Sequence, residues 1–210
     1  MRNDLTDITL VVDRSGSMAT IQKDSEGGIN YFIEHQKSQP GEAIFSLIQF
    51  DTEYDWVIKG ENIKNVTHYQ LFPRGLTALL DAVGRAILET GNRLNKMNEK
   101  DRPGLVIIVI VTDGKENSSK EFTKEKIKEM ITHQQEIYKW QFTFLGANQD
   151  AFDEAGSIGI NNAAICNFDP SKTSFAHAAY SANIARMRSV IMTGGIIDNG
   201  YTDEERRSME

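Results

Sequence analysis

The chain has few of the residues that most often carry covalent chemistry. Among 210 residues there is one cysteine, Cys166, and there are four histidines and four prolines. One cysteine excludes an internal disulfide, and a lone small thiol is expected in the core rather than at a reactive site. None of His35, His68, His133 or His177 lies beside a loop that carries the clustered carboxylates and hydroxyls described below. No Walker-type glycine loop and no Gly-x-Ser-x-Gly elbow is present. No apolar run reaches the length of a membrane span, and Met1-Arg2-Asn3-Asp4 carries no apolar leader. A cytoplasmic protein with no membrane partner is therefore expected. Basic residues are also in deficit, 23 Lys and Arg against 30 Asp and Glu, for a net charge of −7. That balance argues against a nucleic-acid backbone as partner.

Two short stretches stand out instead. Ile8 to Val12 and Leu105 to Val111 are apolar, β-branched runs with little alternation. Such runs suit parallel strands buried on both faces. The first ends in Asp13-Arg14-Ser15-Gly16-Ser17 and the second in Thr112-Asp113-Gly114. In an open α/β sheet the carboxyl ends of the strands line the ligand crevice. If the two strands are neighbours, Asp13 and Asp113 project into the same crevice, with Ser15 and Ser17 on the turn between strand and helix. Two carboxylates with clustered hydroxyls and no nearby His or Cys describe a hard-cation site.

The remaining pattern predicts alternating strands and helices, punctuated by the prolines. A helix is expected from about Met18 to Lys37, ended by Pro40-Gly41, with the costly pair Gly27-Gly28 inside it. Ala43 to Phe50 reads as a strand, and Asp51-Thr52-Glu53 as a tight turn into a short antiparallel strand, Tyr54 to Ile58. Asp51 also ends a strand, so it reads either as turn chemistry or as a third metal carboxylate. Lys64 to Phe72 is weakly patterned. Pro73-Arg74-Gly75 leads to Thr77 and to a helix carrying Leu79, Leu80, Val83, Ile87 and Leu94. Further helices are expected over about Thr123–Tyr138, up to about Ala155, and Thr173–Met192. Further strands are expected over Trp140–Leu145 and Ala163–Phe168. One domain over residues 1–193 follows, with Gly194-Gly195 leading into a tail, 194–210, that is either a short helix or frayed.

Asp13-x-Ser15-x-Ser17 resembles the first loop of the metal-ion-dependent adhesion site of von Willebrand factor A domains. That family completes its site with a Thr from a second loop and an Asp from a third. Thr77 and Asp113 stand at matching places in the right order. The resemblance covers roughly residues 5 to 190. It implies a Rossmann-like, doubly wound, mostly parallel six-stranded sheet with one antiparallel edge strand and helices on both faces. It implies metal ligands Asp13, Ser15, Ser17, Thr77 and Asp113. Arg14, Arg74, Lys115 and Asn148 are expected at the rim. Asp81, one helical turn beyond Thr77, is either near the ion through water or a solvated carboxylate.

Magnesium is the expected ion, with manganese and calcium as alternatives, because two carboxylates balance a divalent charge and calcium prefers more of them. The resemblance implies that a Glu or Asp of a partner protein completes the coordination, so a non-enzymatic adaptor is expected. Intracellular family members commonly work beside ring-shaped AAA+ ATPases or in assemblies, and the compact chain resembles short bacterial or phage-encoded members. Two alternatives stay open: a metal-dependent phosphoesterase on the same sheet, and a structural subunit with a vestigial site.

Overall fold

The computed structural model describes residues 1–147 and 149–209. Six strands form one sheet: β1 (Arg2–Asp13), β2 (Glu42–Phe50), β3 (Tyr54–Asn62), β4 (Pro103–Thr112), β5 (Gln141–Gly146) and β6 (Ile165–Asn167). Their order is β3-β2-β1-β4-β5-β6, with every neighbouring pair parallel except β2 and β3. The predicted neighbours β1 and β4 are thus adjacent in the middle of the sheet. Strand order reverses about β1, whose carboxyl end is flanked by β2 and β4; this is where a crevice opens in a doubly wound sheet.

Helices cover both faces: α1 (Gln22–Lys37), α2 (Leu79–Asn95), α3 (Lys124–Tyr138), α4 (Gln149–Ser157), α5 (Thr173–Met192) and α6 (Asp203–Met209). Alternation along the strands sorts the core into two layers. Ile8, Leu10 and Val12 of β1 pack with Phe32 and Ile33 of α1 and Tyr180 and Ile184 of α5. Val11 faces the other way, with Val83 and Ile87 of α2 and Ile127 and Ile131 of α3. Burial on both sides explains the continuous apolar runs of β1 and β4. Among the described residues no helix is long and apolar enough to cross a membrane.

The costly glycine at position 28 has a packing reason. A Cβ there would lie 2.1 Å from the His177 ring of α5, so only glycine lets α1 and α5 meet this closely.

Besides β3, which runs to Asn62 rather than Ile58, the elements depart from expectation in three places. β1 begins six residues before Ile8, because polar Asp7 is fully buried and paired with Arg93 of α2 at 2.7 and 2.9 Å. α1 begins at Gln22 rather than Met18, since Gly16–Thr20 winds into a separate tight 3-10 turn. β6 is only three residues long, shorter than Ala163–Phe168, and leaves the start of β5 without a strand partner on the side away from β4. The tail fills that gap. Asn199 Nδ2 donates to the Phe142 carbonyl at 2.9 Å and its Oδ1 accepts from the Thr143 hydroxyl at 3.0 Å. Tyr201 and Met209 are buried, Arg186 pairs with Glu205, and α6 closes the fold.

Candidate metal centre

Asp13 is the last residue of β1 and is completely buried. Its two oxygens are held from different directions. The Ser15 amide donates to Oδ1 at 2.6 Å, and the Thr112 hydroxyl, from the end of β4, donates to Oδ2 at 2.6 Å. Each oxygen keeps a second lone pair. Burial pushes the Asp13 carboxyl up to about 6, against the pull of the Thr112 and Ser15 bonds, and the nearby charge of Asp113 adds to the rise. Among the described residues no guanidinium or ammonium forms an ion pair with it.

From Asp13 a chain of oxygens leads outward. Ser15 Oγ, itself buried, lies 3.0 Å from Ser17 Oγ, and Ser17 Oγ donates to Asp113 Oδ1 at 2.7 Å. Asp113 also has its carboxyl raised, by burial first, with the Ser17 bond opposing. Gly114 reports where Thr77 sits: a Cβ at residue 114 would meet Thr77 Oγ1 at 3.5 Å and Ser17 Oγ at 3.6 Å. Both hydroxyls therefore face one small space over the β4 turn. Thr77 is buried, Ser17 and Lys115 are exposed, and Asp113 is half-buried, so the cluster opens to solvent on one side.

The Thr77 loop is held by the loop after β4. Thr77 N–H donates to Asn117 Oδ1 at 2.9 Å and the Thr77 carbonyl accepts from Asn117 N–H at 3.0 Å. Glu116 accepts from Leu80 N–H at 2.9 Å, satisfying a free amide in the first turn of α2 from outside the helix. Asp81 spends both oxygens on the amides of Lys120, Glu121 and Phe122. Arg14 and Arg74, expected at the rim, both turn to Asp51, with Nε to Oδ2 distances of 2.9 and 2.7 Å. Asn148 lies outside the described residues.

The donor set fits a hard divalent cation. All five side chains offer oxygen, two of them as carboxylates. Among the described residues no three His, Cys, Asp or Glu side chains gather as a metal-binding group, so an ion here has to draw on the hydroxyls as well.

Sequence reasoning missed Thr112, Asn117 and Glu116. Thr112 left one signal, a polar β-branched residue directly before Asp113 at the end of an otherwise apolar strand. Asn117 and Glu116 left none, because their bonds join segments about 40 residues apart.

A family model for the von Willebrand factor type A domain matches residues 7–182. No protein of curated function matches the sequence. Among solved structures, proximal thread matrix protein 1 from the mussel byssus is similar, with a TM-score of 0.62 at 14% identity over 88% of this chain and 48% of that one. A form of the same mussel protein with zinc in its MIDAS motif has a TM-score of 0.59 at 16% identity, covering 86% of this chain and 46% of that one. The ArnB paralog VWA2 from Sulfolobus acidocaldarius gives 0.55 at 16%, covering 83% and 44%. The chain thus spans about half the length of these proteins, and identities this low establish the fold alone. With the family model spanning most of the sequence and the sheet order, helix layers and strand-end loops all in place, the chain belongs to the von Willebrand factor type A domain family.

Proposed function

We propose that this domain is a divalent-metal-dependent protein-binding module rather than an enzyme. Asp13, Ser15, Ser17, Thr77 and Asp113 would hold the cation, magnesium before manganese or calcium, and an acidic side chain of a partner protein would complete its ligands. One observation carries the reading: hydroxyls and carboxylates from three separate loops converge at the carboxyl ends of β1 and β4. Family membership supports it, since these domains mediate protein–protein interaction in general. The zinc-occupied motif of the similar mussel protein supports a divalent ion in this fold. An all-oxygen donor set favours magnesium over zinc here.

When bound, the cation supplies an electrophilic centre for an incoming carboxylate oxygen. The chain's own residues prepare for that role. Thr112 and the Ser15 amide fix Asp13; Ser17 presents its hydroxyl and Asp113 its carboxylate at the solvent-facing side. Two carboxylates balance the charge of a divalent ion, so a guest anion meets no net repulsion.

The placement of the usual acid–base residues supports binding over catalysis. His35 bonds Ser181, His68 lies beside Asn30, and His177 is buried between α1 and α5. The Cys166 thiol is buried and pushed far above its usual range by that burial, which suits a reduced, unreactive group. A cytoplasmic partner, such as a ring-shaped AAA+ ATPase or an assembly component, fits this picture.

Magnesium titration of the wild type and of Asp13→Ala, followed by partner capture with magnesium and with EDTA, tests the proposal. The variant should lose at least about tenfold in affinity while its circular dichroism is unchanged. Capture should vanish in EDTA. Identical capture in both conditions would count for a structural subunit, and metal-dependent turnover of a phosphate ester would count for an enzyme.

A further inference from the structure

At the end of β2 a third buried aspartate sits beside the metal loops without joining them. Asp51 is almost wholly inaccessible to solvent, and its oxygens are already committed. Oδ2 accepts from Arg14 Nε at 2.9 Å and from Arg74 Nε at 2.7 Å. Oδ1 accepts from the Glu53 amide at 2.8 Å. Despite the cost of burial, this amide and the two guanidinium groups hold its carboxyl below the usual carboxylate range. That environment serves a permanent anion with permanent cationic partners, not a metal ligand.

The partners of Asp51 belong to the loops that carry the hydroxyls. Arg14 stands between Asp13 and Ser15. Arg74 begins the short loop that ends in Thr77-Ala78. The Asp51 carbonyl accepts from Ala78 N–H at 2.8 Å, so Asp51 grips that loop at both ends, Arg74 by its side chain and Ala78 by its backbone. Between them Gly75 adopts φ +70° and lies against Asp51, where a Cβ would come within 3.2 Å of the Asp51 Cβ. Two backbone bonds then join the loops directly: Arg74 N–H to the Arg14 carbonyl at 2.7 Å, and Gly16 N–H to the Gly75 carbonyl at 3.1 Å. Arg14 also reaches Asp55, and Arg74 reaches Glu53, so the ion pairs extend across the β2–β3 turn.

We infer that Asp51 is a positioning residue for the candidate metal centre: paired with Arg14 and Arg74, it sets the gap between the Ser15–Ser17 loop and the Thr77 loop. The inference rests on the metal-binding reading above and adds the element that brings Thr77 to the other ligands. Coulomb attraction suits this task, because both pairs share one buried oxygen and the charge is poorly screened there. An asparagine would keep the shape and one acceptor but release both guanidinium groups from a common anchor.

Mn²⁺ binding to the purified chain, read by electron paramagnetic resonance, tests this with Asp51→Asn, Thr77→Ala and the double variant. Asp51→Asn should weaken Mn²⁺ binding by about tenfold or more, the usual scale for groups that orient metal ligands. General loosening of the fold would do the same, so the double variant decides. If Asp51 acts through Thr77, the double variant binds no more weakly than Thr77→Ala alone; independent effects would multiply. Should Asp51→Asn fail to fold, Arg74→Gln opens only the exposed arm and should still weaken binding by a few-fold. Affinity within twofold of wild type in whichever variant folds, or losses that multiply in the cycle, overturns the inference. A wild type that binds Mn²⁺ keeps the metal reading intact in that event. A wild type that binds none overturns both.

Discussion

Asp7 and Asp13 lie six residues apart on the same face of β1, and both are fully buried. The protein treats them in opposite ways. Asp7 meets the Arg93 guanidinium of α2 in a two-pronged pair, 2.7 and 2.9 Å, so its charge is cancelled within the molecule. Asp13 receives the Thr112 hydroxyl and the Ser15 amide, and the carboxylate of Asp113 adds a like charge nearby. The first is a finished ion pair inside the sheet-helix layer. The second is an anion left for something from outside, and the folded chain bears a cost for keeping it so. His177, on the opposite face, is a third solution: buried with neither ring nitrogen bonded, it stays neutral, and burial alone pushes its pKa down to about 3.

The largest test of this contrast breaks the finished pair. Arg93→Ala leaves Asp7 buried without its partner and should cost about 3–5 kcal/mol in urea unfolding. A loss under about 1 kcal/mol would mean that Asp7 finds water, and the contrast would fail. Next comes the unfinished site. Magnesium at roughly 100 times its dissociation constant should stabilise the wild type by about 2.7 kcal/mol and Asp13→Asn not at all. In EDTA the sign reverses: Asp13→Asn removes an uncompensated buried charge and should stabilise the chain by about 1–2 kcal/mol at neutral pH. Equal melting of wild type and variant would show the charge to be compensated after all.

The test that is smallest near neutral pH concerns His177, because its effect develops only as the solution is acidified. Its pKa is lower folded than unfolded, so the stability tied to its neutral form is present above pH 6.5 and drains away as pH falls from 6.5 toward 3. The expected slope is about 1.4 kcal/mol per pH unit. His177→Leu should flatten that part of the pH–stability curve, and an unchanged slope would place the proton uptake elsewhere.

The unfinished carboxylate was also the part most legible in the sequence. β1 and β4 are buried on both faces, so their β-branched runs announce parallel strands, and the residues that end them announce the crevice. The finished pair was hidden. Asp7 fell just outside the strand expected from Ile8, because its partner is 86 residues away and pairing over such distances leaves no local pattern. Asp51 fell between the two: its place at a strand end was visible, but not the two arginines that occupy it. Arg14 and Arg74 were expected at the rim; Arg14 is instead buried and Arg74 stays exposed, and both are drawn to a carboxylate supplied by another loop. The tail was half legible: a short helix was one of its two readings, and α6 is that helix, but its docking was not visible. Its hold on the domain comes from scattered contacts, among them the Asn199 amide, the Arg186–Glu205 pair and buried Tyr201 and Met209, without a run of apolar residues long enough to mark an element.

That tail has a bearing on how the molecule behaves in company. A three-residue β6 would leave carbonyls such as that of Phe142 open at one margin of the sheet, a template on which another chain could dock edge to edge. Asn199 occupies that carbonyl, the Tyr201 amide bonds at Ala163, and the Asp169 amide bonds at Met209. The opposite margin, β3, is irregular in register and carries Lys59 and Glu61, features that discourage strand addition. Shortened to end at Gly195, the chain should clump more readily than the full chain, with a rise in light scattering as the first sign.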